Sequence, residues 1–273
     1  MTQTKQKWQD LPKRLLTVAI GAPLVFVLVY LGSPFYDVIV LGVSVVAAFE
    51  VARMVAPDSR FWHFGFPVLM SLVILGIAYG QVVVIGVVCA VTFAAWFVVE
   101  QNRPAEERAT PAGMIVLYLL AALVYISVPL ALLLIVRPVV NGLWWTFALF
   151  ANNWLTDASA LIGGRLFGKT KLAPKISGAK TVEGAAIGLA VGTLVGFAVL
   201  VVTVPLLSPV IALVVNFLIS ALTIIGDLIE SRVKRHFHVK DAGKILPGHG
   251  GFLDRIDGLL LAVPIWYLFV MIF

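Results

Sequence analysis

The stretch SRVKRHFHVKDAGKILPGHGGFLDRIDG, from Ser231 to Gly258, interrupts a chain that is otherwise nearly all apolar. It contains six lysines and arginines, three aspartates and five glycines, and an apolar run flanks it on each side. The whole chain of 273 residues is 61% hydrophobic and only 12% charged, whereas soluble domains have about 25% charged residues. Most of the protein surface must therefore face lipid, and the charged stretch must lie at a membrane surface.

Apolar runs of about 20 residues, long enough to cross a bilayer, divide the rest of the chain. They predict an all-α, polytopic integral membrane protein with about nine transmembrane helices, at roughly 14–32, 35–55, 63–80, 82–100, 113–136, 142–164, 182–205, 208–230 and 251–272. Residues 1–112 are predicted to form an N-terminal group of about four spans. Residues 113–273 are predicted to form a C-terminal membrane domain of about five spans, with cytoplasmic loops 165–181 and 231–250, which also contains the candidate site residues described below.

The basic residues predict the orientation of these spans. With the N-terminus in the cytoplasm, 19 of the 20 lysines and arginines fall on the cytoplasmic side, and Arg137 alone falls on the other. Both charged loops then open to the cytoplasm. The net charge of +6 is explained by these loops, so no nucleic-acid partner is expected.

Acidic residues within the apolar helices indicate a functional site, because a carboxylate in a membrane span is costly without a cation or water. Asp227 and Glu230 are three residues apart and share a helix face. Asp254 and Asp257 repeat that spacing at the predicted start of the last helix, where the helix dipole alone would favour acids. Glu50 is a further acid of this kind.

Carboxylates with open coordination positions suit Mg²⁺, which shares its shell with water and substrate phosphates. The neighbouring lysines and arginines suit a polyphosphate. Glycines such as Gly250 and Gly251 let the backbone approach a phosphate closely. His249, between two glycines, has three open interpretations: a proton donor, a phosphate contact or a turn residue.

The loop 165–181 carries five cations and follows the span that contains the intramembrane Asp157. An ordinary positive-inside loop would explain the cations equally well. Ser177 and Thr181 are either phosphate contacts or helix caps.

The charged stretch also resembles a known family signature. The matching residues are Ser231, Lys234, Arg235, Lys240, Asp241, Gly243, Pro247, Gly248, His249, Gly250, Gly251, Asp254, Arg255 and Asp257. The signature is that of the phosphatidate cytidylyltransferases, and the segments GDLIES and DASALIGGRLFGKTKLAPKISGAKTVEG, which begin at Gly226 and Asp157, are similar to that family too. Gly178 and Ala242 depart from it, where many members have Pro and Ser.

This resemblance implies transfer of CMP from CTP to phosphatidic acid, giving CDP-diacylglycerol and pyrophosphate. It also implies dependence on Mg²⁺, with a second cation left open, a multi-pass inner-membrane location with the active site facing the cytoplasm, and a homodimer. With the residue pattern, it predicts a metal site of Asp227, Asp254 and Asp257, with Glu230 or Asp157 left open as a further ligand. The same acids and three bases are the predicted catalytic residues, the bases being Lys234, Arg235 and Arg255. The predicted substrate-binding residues are Ser231, Lys240, Asp241, His249, Gly250, Gly251, Asp157, Lys171, Lys175, Ser177, Lys180 and Thr181.

Three other functions fit parts of the pattern. A secondary transporter of an anionic or phosphorylated solute would also carry intramembrane acids, but near the bilayer midplane rather than at one interface. A CDP-alcohol phosphotransferase would need further aspartates that do not follow DRIDG. A non-catalytic lipid-binding protein would have no use for the acids.

Overall fold

A computed structural model describes residues 11–81, 83, 86, 112–243, 245 and 250–273. Within these residues the chain forms eight long helices, a short 3₁₀ helix at Leu253–Arg255 and two short strands. The long helices are α1 (Leu11–Leu31), α2 (Phe35–Val55), α3 (Arg60–Ala78), α4 (Ala112–Val136), α5 (Gly142–Phe167), α6 (Val182–Thr203), α7 (Pro209–His236) and α8 (Asp257–Ile272). Strands β1 (Lys171–Ala173) and β2 (Ser177–Thr181) form an antiparallel hairpin between α5 and α6, pairing Lys171 with Thr181 and Ala173 with Ser177.

The helices confirm an all-α membrane protein. Five of them, α2, α3, α4, α6 and α7, are long and apolar enough to cross a bilayer. Their outward side chains are apolar, as contact with lipid requires: Val202 is 80% exposed and Phe64 71%. The count of nine spans and the cytoplasmic N-terminus stay predictions, and the predicted span 82–100 lies outside the described residues except for Val83 and Gly86.

The predicted loops differ from the structure at their boundaries. Helix α7 continues to His236, so Ser231, Lys234 and Arg235 lie on its last turns and not in a loop. Basic side chains in a last turn interact favourably with the helix dipole, which explains why the helix extends past its apolar part. At the other end of this segment, α8 begins at Asp257, after the 3₁₀ turn, and not at residue 251.

The helices pack in a continuous series. Helix α5 packs extensively on α6, and α7 packs on α5, α6 and α8. Helix α8 also contacts α4, which in turn packs on α2 and α3, while α1 lies against α2 and α5. These contacts cross the predicted boundary at residue 112, and the division into two regions stays a prediction.

The close approach of α5 and α6 depends on glycines four residues apart on α6. A Cβ atom at Gly184 would lie 2.6 Å from the carbonyl oxygen of Ala160, and one at Gly188 would lie 2.7 Å from that of Thr156. A Cβ at Gly192 would overlap the Thr156 hydroxyl. Small residues at this spacing let two membrane helices pack backbone to backbone. The stripe therefore fixes α6, and the hairpin before it, against α5.

We expect Gly188→Leu to destabilise the protein, because the new side chain must separate α5 from α6. Overpacking of this kind lowers the free energy of unfolding by roughly 1–3 kcal/mol. Thermal unfolding in detergent should show a lower midpoint, by about 2–4 °C for each kcal/mol. Gly42→Leu is the matched control, because a Cβ at Gly42 meets nothing within 4 Å. Equal midpoints for the two variants would contradict this account of the packing.

Buried amides and hydroxyls join α5 to α7. Asn152 Nδ2 donates to both the backbone carbonyl and Oδ1 of Asn216, each at 2.9 Å, and the Ser220 hydroxyl donates to Asn152 Oδ1 at 2.9 Å. One turn further along, the Thr223 hydroxyl donates to Asn153 Oδ1 at 2.9 Å. Polar pairs buried among membrane helices hold a defined register between them. That register places the acids of α5 and α7 at the same end of the bundle.

Candidate active site

Three acidic side chains from two helices meet at the end of this polar seam. Asp227 and Glu230 on α7 and Asp257 on α8 each place a carboxylate oxygen within 4.8 Å of the other two. Glu230 is 5% exposed and Asp257 4%. We call Asp227, Glu230 and Asp257 the acidic cluster. Three carboxylates this close, two of them buried, repel one another unless cations compensate them or they bind protons.

Glycines allow α7 and α8 to bring these acids together. A Cβ at Gly226 would lie 2.7 Å from the carbonyl oxygen of Asp257, and a Cβ at Gly258 would lie 2.7 Å from Thr223 Cγ2. The first turn of α8 therefore lies directly against the backbone of α7. The three-residue spacing of Asp227 and Glu230 turns both carboxylates toward this contact.

Asp157 on α5 adds a fourth acid. Its carboxylate interacts electrostatically with Asp227, Arg255 and Lys180. Helices α5, α7 and α8 thus all contribute an acid to one region.

Lys234 connects the acidic cluster to Asp254. Its ammonium group donates to Glu230 Oε2 at 3.0 Å and also to Asp254 Oδ1. All three side chains are largely buried. An ammonium held between two carboxylates in such a place is positioned by both of them.

Lys180 on β2 also reaches the acidic cluster. Its Nζ lies 2.6 Å from Asp227 Oδ1. The base of the hairpin that carries it is anchored to α6: the Thr181 hydroxyl accepts the N–H of Gly184 at 3.2 Å, and Glu183 accepts the N–H groups of Lys169 and Thr170 at 3.0 and 3.1 Å. Thr181 is therefore a helix cap, one of the two roles that the sequence left open.

Asp254 organises the glycine-rich loop after α7. Its Oδ2 accepts the backbone N–H of Ala242 at 3.1 Å and that of Gly251 at 2.8 Å. Gly250 has φ +84°, a conformation that favours glycine, and its Cβ would lie 3.1 Å from Asp254 Oδ2. The carboxylate that binds Lys234 thus also fixes both ends of the loop 242–251.

Glu50 on α2 holds the other side of this loop. Its two carboxylate oxygens accept the N–H groups of Phe252 and Leu253 at 3.0 and 2.9 Å. A Cβ at Gly243 would overlap the Glu50 carboxylate, and a Cβ at Gly251 would lie 2.8 Å from Glu50 Oε2. The N-terminal helices therefore position a loop that lies some 200 residues later in the chain.

The charges of this region match a divalent cation. The acids that interact here are the cluster, Asp157 and Asp254, and the cations are Lys180, Lys234 and Arg255. Among these side chains acids outnumber cations, five to three. Oxygen donors in such an acidic environment suit a hard divalent ion.

A family comparison agrees with this arrangement. The model of the cytidylyltransferase family matches residues 12–273, nearly the whole chain. The chain belongs to the cytidylyltransferase family. The resemblance drawn from Ser231–Asp257 and the segments before it is therefore confirmed at the level of the family.

Curated bacterial proteins are similar to this member of the family. A protein of Staphylococcus saprophyticus named phosphatidate cytidylyltransferase is 42% identical over 125 residues, which are 46% of this chain and 48% of the relative. One of Bacillus subtilis with the same name is 39% identical over 132 residues, 48% of this chain and 49% of the relative. The chain thus spans about half the length of the curated relatives it matches.

Seven predicted site residues are brought together by the structure. They are Asp157, Lys180, Asp227, Lys234, Asp254, Arg255 and Asp257. The predicted metal ligands were Asp227, Asp254 and Asp257. The three acids that the structure brings together differ in one member, with Glu230 in place of Asp254. Asp254 instead faces the loop and reaches the acidic cluster through Lys234.

The other predicted residues lie outside this contact network or at its edge. Lys171, Lys175, Lys240 and Asp241 are exposed, while Ser231 on α7 and Ser177 on β2 are half-buried. The Arg235 guanidinium donates to the carbonyl of Val239 at 3.1 Å, closing the end of α7. Gly250 and Gly251 lie in the loop held by Asp254 and Glu50, and His249 lies outside the described residues.

Two acids contribute more than the sequence predicted. Glu230 was paired with Asp227 by spacing and left open as a further ligand, but it was not one of the three predicted metal ligands. Glu50 was recognised as a costly intramembrane acid, but its partners are backbone N–H groups, which no side-chain pattern reveals.

Proposed function

We propose that the protein transfers CMP from CTP to phosphatidic acid, producing CDP-diacylglycerol and pyrophosphate. The observation that carries this proposal is the acidic cluster within 4.8 Å, flanked by buried lysines, in a chain of the cytidylyltransferase family. The names of the curated relatives support the same substrate pair. Two phosphate-bearing substrates call for both carboxylates that hold a cation and lysines that hold phosphate.

The acidic residues would hold a divalent cation, for which we propose Mg²⁺. Asp227 and Asp257 would provide two ligands, and the third would come from Glu230 or Asp254, which share the ammonium of Lys234. When bound, such a cation neutralises phosphate charge and polarises the phosphoryl group that is transferred.

The nucleophile is the phosphate of phosphatidic acid. A phosphate monoester has a second pKa of about 6, so it is already an anion at neutral pH and needs no general base. One of its oxygens forms a bond to the α-phosphorus of CTP. The bond between that phosphorus and the oxygen that bridges it to the β-phosphorus lies in line with the new bond and breaks. Pyrophosphate leaves with that oxygen. The barrier is mainly electrostatic repulsion between anions, and positioned cations lower it.

Basic side chains around the acidic cluster would bind and orient the two phosphates. Lys180 and Lys234 form ion pairs with the acids, and Arg255 interacts electrostatically with Asp157. Further contacts are proposed from the exposed residues of the two charged segments, namely Lys171, Lys175, Arg235, Lys240 and Asp241. The half-buried Ser231 and Ser177 and the backbone at Gly250 and Gly251 complete the proposed binding surface, together with His249.

The proposed site faces the cytoplasm of a bacterial inner membrane. The placement of 19 of 20 lysines and arginines on one predicted side supports this orientation. CTP then enters from the cytosol, while phosphatidic acid stays in the leaflet with its head group at the same surface. A homodimer is proposed from the family resemblance.

The test uses the full chain in detergent with phosphatidic acid, Mg²⁺ and CTP labelled at the α-phosphorus. Label should enter the lipid from α-labelled CTP and not from γ-labelled CTP. A chelator should reduce transfer to background, and diacylglycerol, which lacks the phosphate, should not replace phosphatidic acid. Absence of labelled lipid, or solute uptake into proteoliposomes without CTP, would contradict the proposal.

A further inference from the structure

The surroundings of the Lys180 ammonium are acidic, so in this structure it is an ion-pair partner of carboxylates and not a phosphate ligand. Its Nζ is 2.6 Å from Asp227 Oδ1 and interacts with Asp157 as well. The nitrogen atom itself has almost no contact with solvent, although the side chain as a whole is 23% exposed. In this structure the ammonium thus neutralises two acids and occupies an oxygen of the acidic cluster.

A divalent cation and this ammonium cannot both bind that oxygen. Mg²⁺ binds its oxygen ligands at about 2.0–2.1 Å. If both cations bound the same oxygen, they would lie within a few ångströms of each other. At such a separation in a partly buried site, repulsion between a doubly and a singly charged ion exceeds thermal energy several times. One of the two must leave Asp227.

The lysine side chain can leave without any change in the fold. The base of the hairpin is fixed to α6 by Thr181 and Glu183, so β2 stays in place while the flexible stem of Lys180 turns. Lys171, which pairs with Thr181 on the neighbouring strand and is exposed, gives the hairpin a second lysine close in the chain to Lys180. An anion bound there would receive the released ammonium.

We propose that Lys180 is a tethered counter-ion, which a divalent cation displaces from Asp227 and which then binds a substrate phosphate. This displacement rests on the proposed function, because it requires the divalent cation that we propose there. Lys180 thereby couples the two binding events, because this lysine becomes available to a phosphate only when the acidic cluster holds a metal ion. Before that, the same lysine keeps the carboxylates compensated.

Amine labelling measures the displacement directly. The wild-type protein in detergent, without substrates, is treated with an acetylating reagent in chelator or in Mg²⁺, and each lysine is quantified by mass spectrometry. Mg²⁺ should raise labelling of Lys180 by at least about threefold, because its shielded nitrogen becomes accessible. Labelling of the exposed Lys169 and Lys175 should not change. Labelling of Lys180 that is unchanged or lowered by Mg²⁺ would overturn the inference.

A metal titration provides the second measurement. Lys180→Gln should bind Mn²⁺ at least about fivefold more tightly than the wild type, since the competing cation is gone. Lys169→Gln removes one charge from the same loop but not from Asp227, and its Mn²⁺ affinity should stay within about twofold of the wild type. Equal affinities for the two variants would also overturn the inference. CMP transfer by the wild type in the same preparation reports on the proposed function separately, so that failure of one is distinguishable from failure of the other.

Discussion

Asp227→Asn is expected to reduce CMP transfer by at least about 100-fold, the effect of removing one preorganised charge-stabilising group from an active site. The substitution keeps the shape of the side chain and removes its charge. Asp227 belongs to the acidic cluster and binds Lys180, so its loss weakens the proposed metal site and releases that lysine. The measurement is the initial rate of CMP transfer over a range of Mg²⁺ concentrations.

The control for this variant is Asp37→Asn. Asp37 accepts the hydroxyl of Ser33 at 2.6 Å in the first turn of α2. It lies 13 residues before Glu50 on the same helix, which places it about 20 Å along the axis from the loop that Glu50 holds. This variant should retain full transfer. Normal turnover by Asp227→Asn, with the protein folded by its melting curve, would contradict the metal assignment.

The membrane architecture could be predicted because its cause is local in the sequence. Each apolar run that was predicted as a span and lies within the described residues is a helix, with ends shifted by a few residues. The two largest shifts are equal: α8 begins at Asp257 and not at 251, and polar residues continue α7 beyond its apolar part to His236 and not to 230. Hydropathy cannot detect this extension, since it measures the fit to lipid and not the continuation of backbone hydrogen bonds.

The acids of the candidate site could be predicted as a group, because a carboxylate in an apolar helix has few structural explanations. Which of these acids contact one another could not be predicted. Spacing places Asp227 beside Glu230, but whether Asp254 or Glu230 meets Asp257 depends on the 3₁₀ turn at Leu253–Arg255. The hairpin that carries Lys180 was predicted only as a basic loop, because its pairing forms between strands of three and five residues.

Asp254→Asn is the second variant expected to lose nearly all activity, for a different reason. Asp254 gives one oxygen to the Lys234 ammonium and the other to the N–H groups of Ala242 and Gly251. An asparagine has a single acceptor oxygen, so in either orientation its NH₂ group faces a donor. Each buried donor left without an acceptor costs about 1–3 kcal/mol. The loop 242–251 and Lys234 can no longer both be held.

We expect CMP transfer by Asp254→Asn to fall by at least about 100-fold, in the range produced by misplacing catalytic groups by about an ångström. Hydrogen exchange at residues 241–243 and 250–255 should become faster, while the helices keep their protection. Asp58→Asn, at an exposed acid between α2 and α3, is the matched control and should change neither quantity.

A Mn²⁺ titration of Asp254→Asn separates two ways in which the activity can be lost. If Asp254 acts through the loop and Lys234, Mn²⁺ binding persists although transfer fails, and Glu230 is then the third ligand beside Asp227 and Asp257. If Asp254 is itself a ligand, Mn²⁺ binding falls together with transfer, as it should in Asp227→Asn. Wild-type rates of transfer in Asp254→Asn would contradict both roles, because the ion pair with Lys234 and the two backbone contacts would then be dispensable for the reaction.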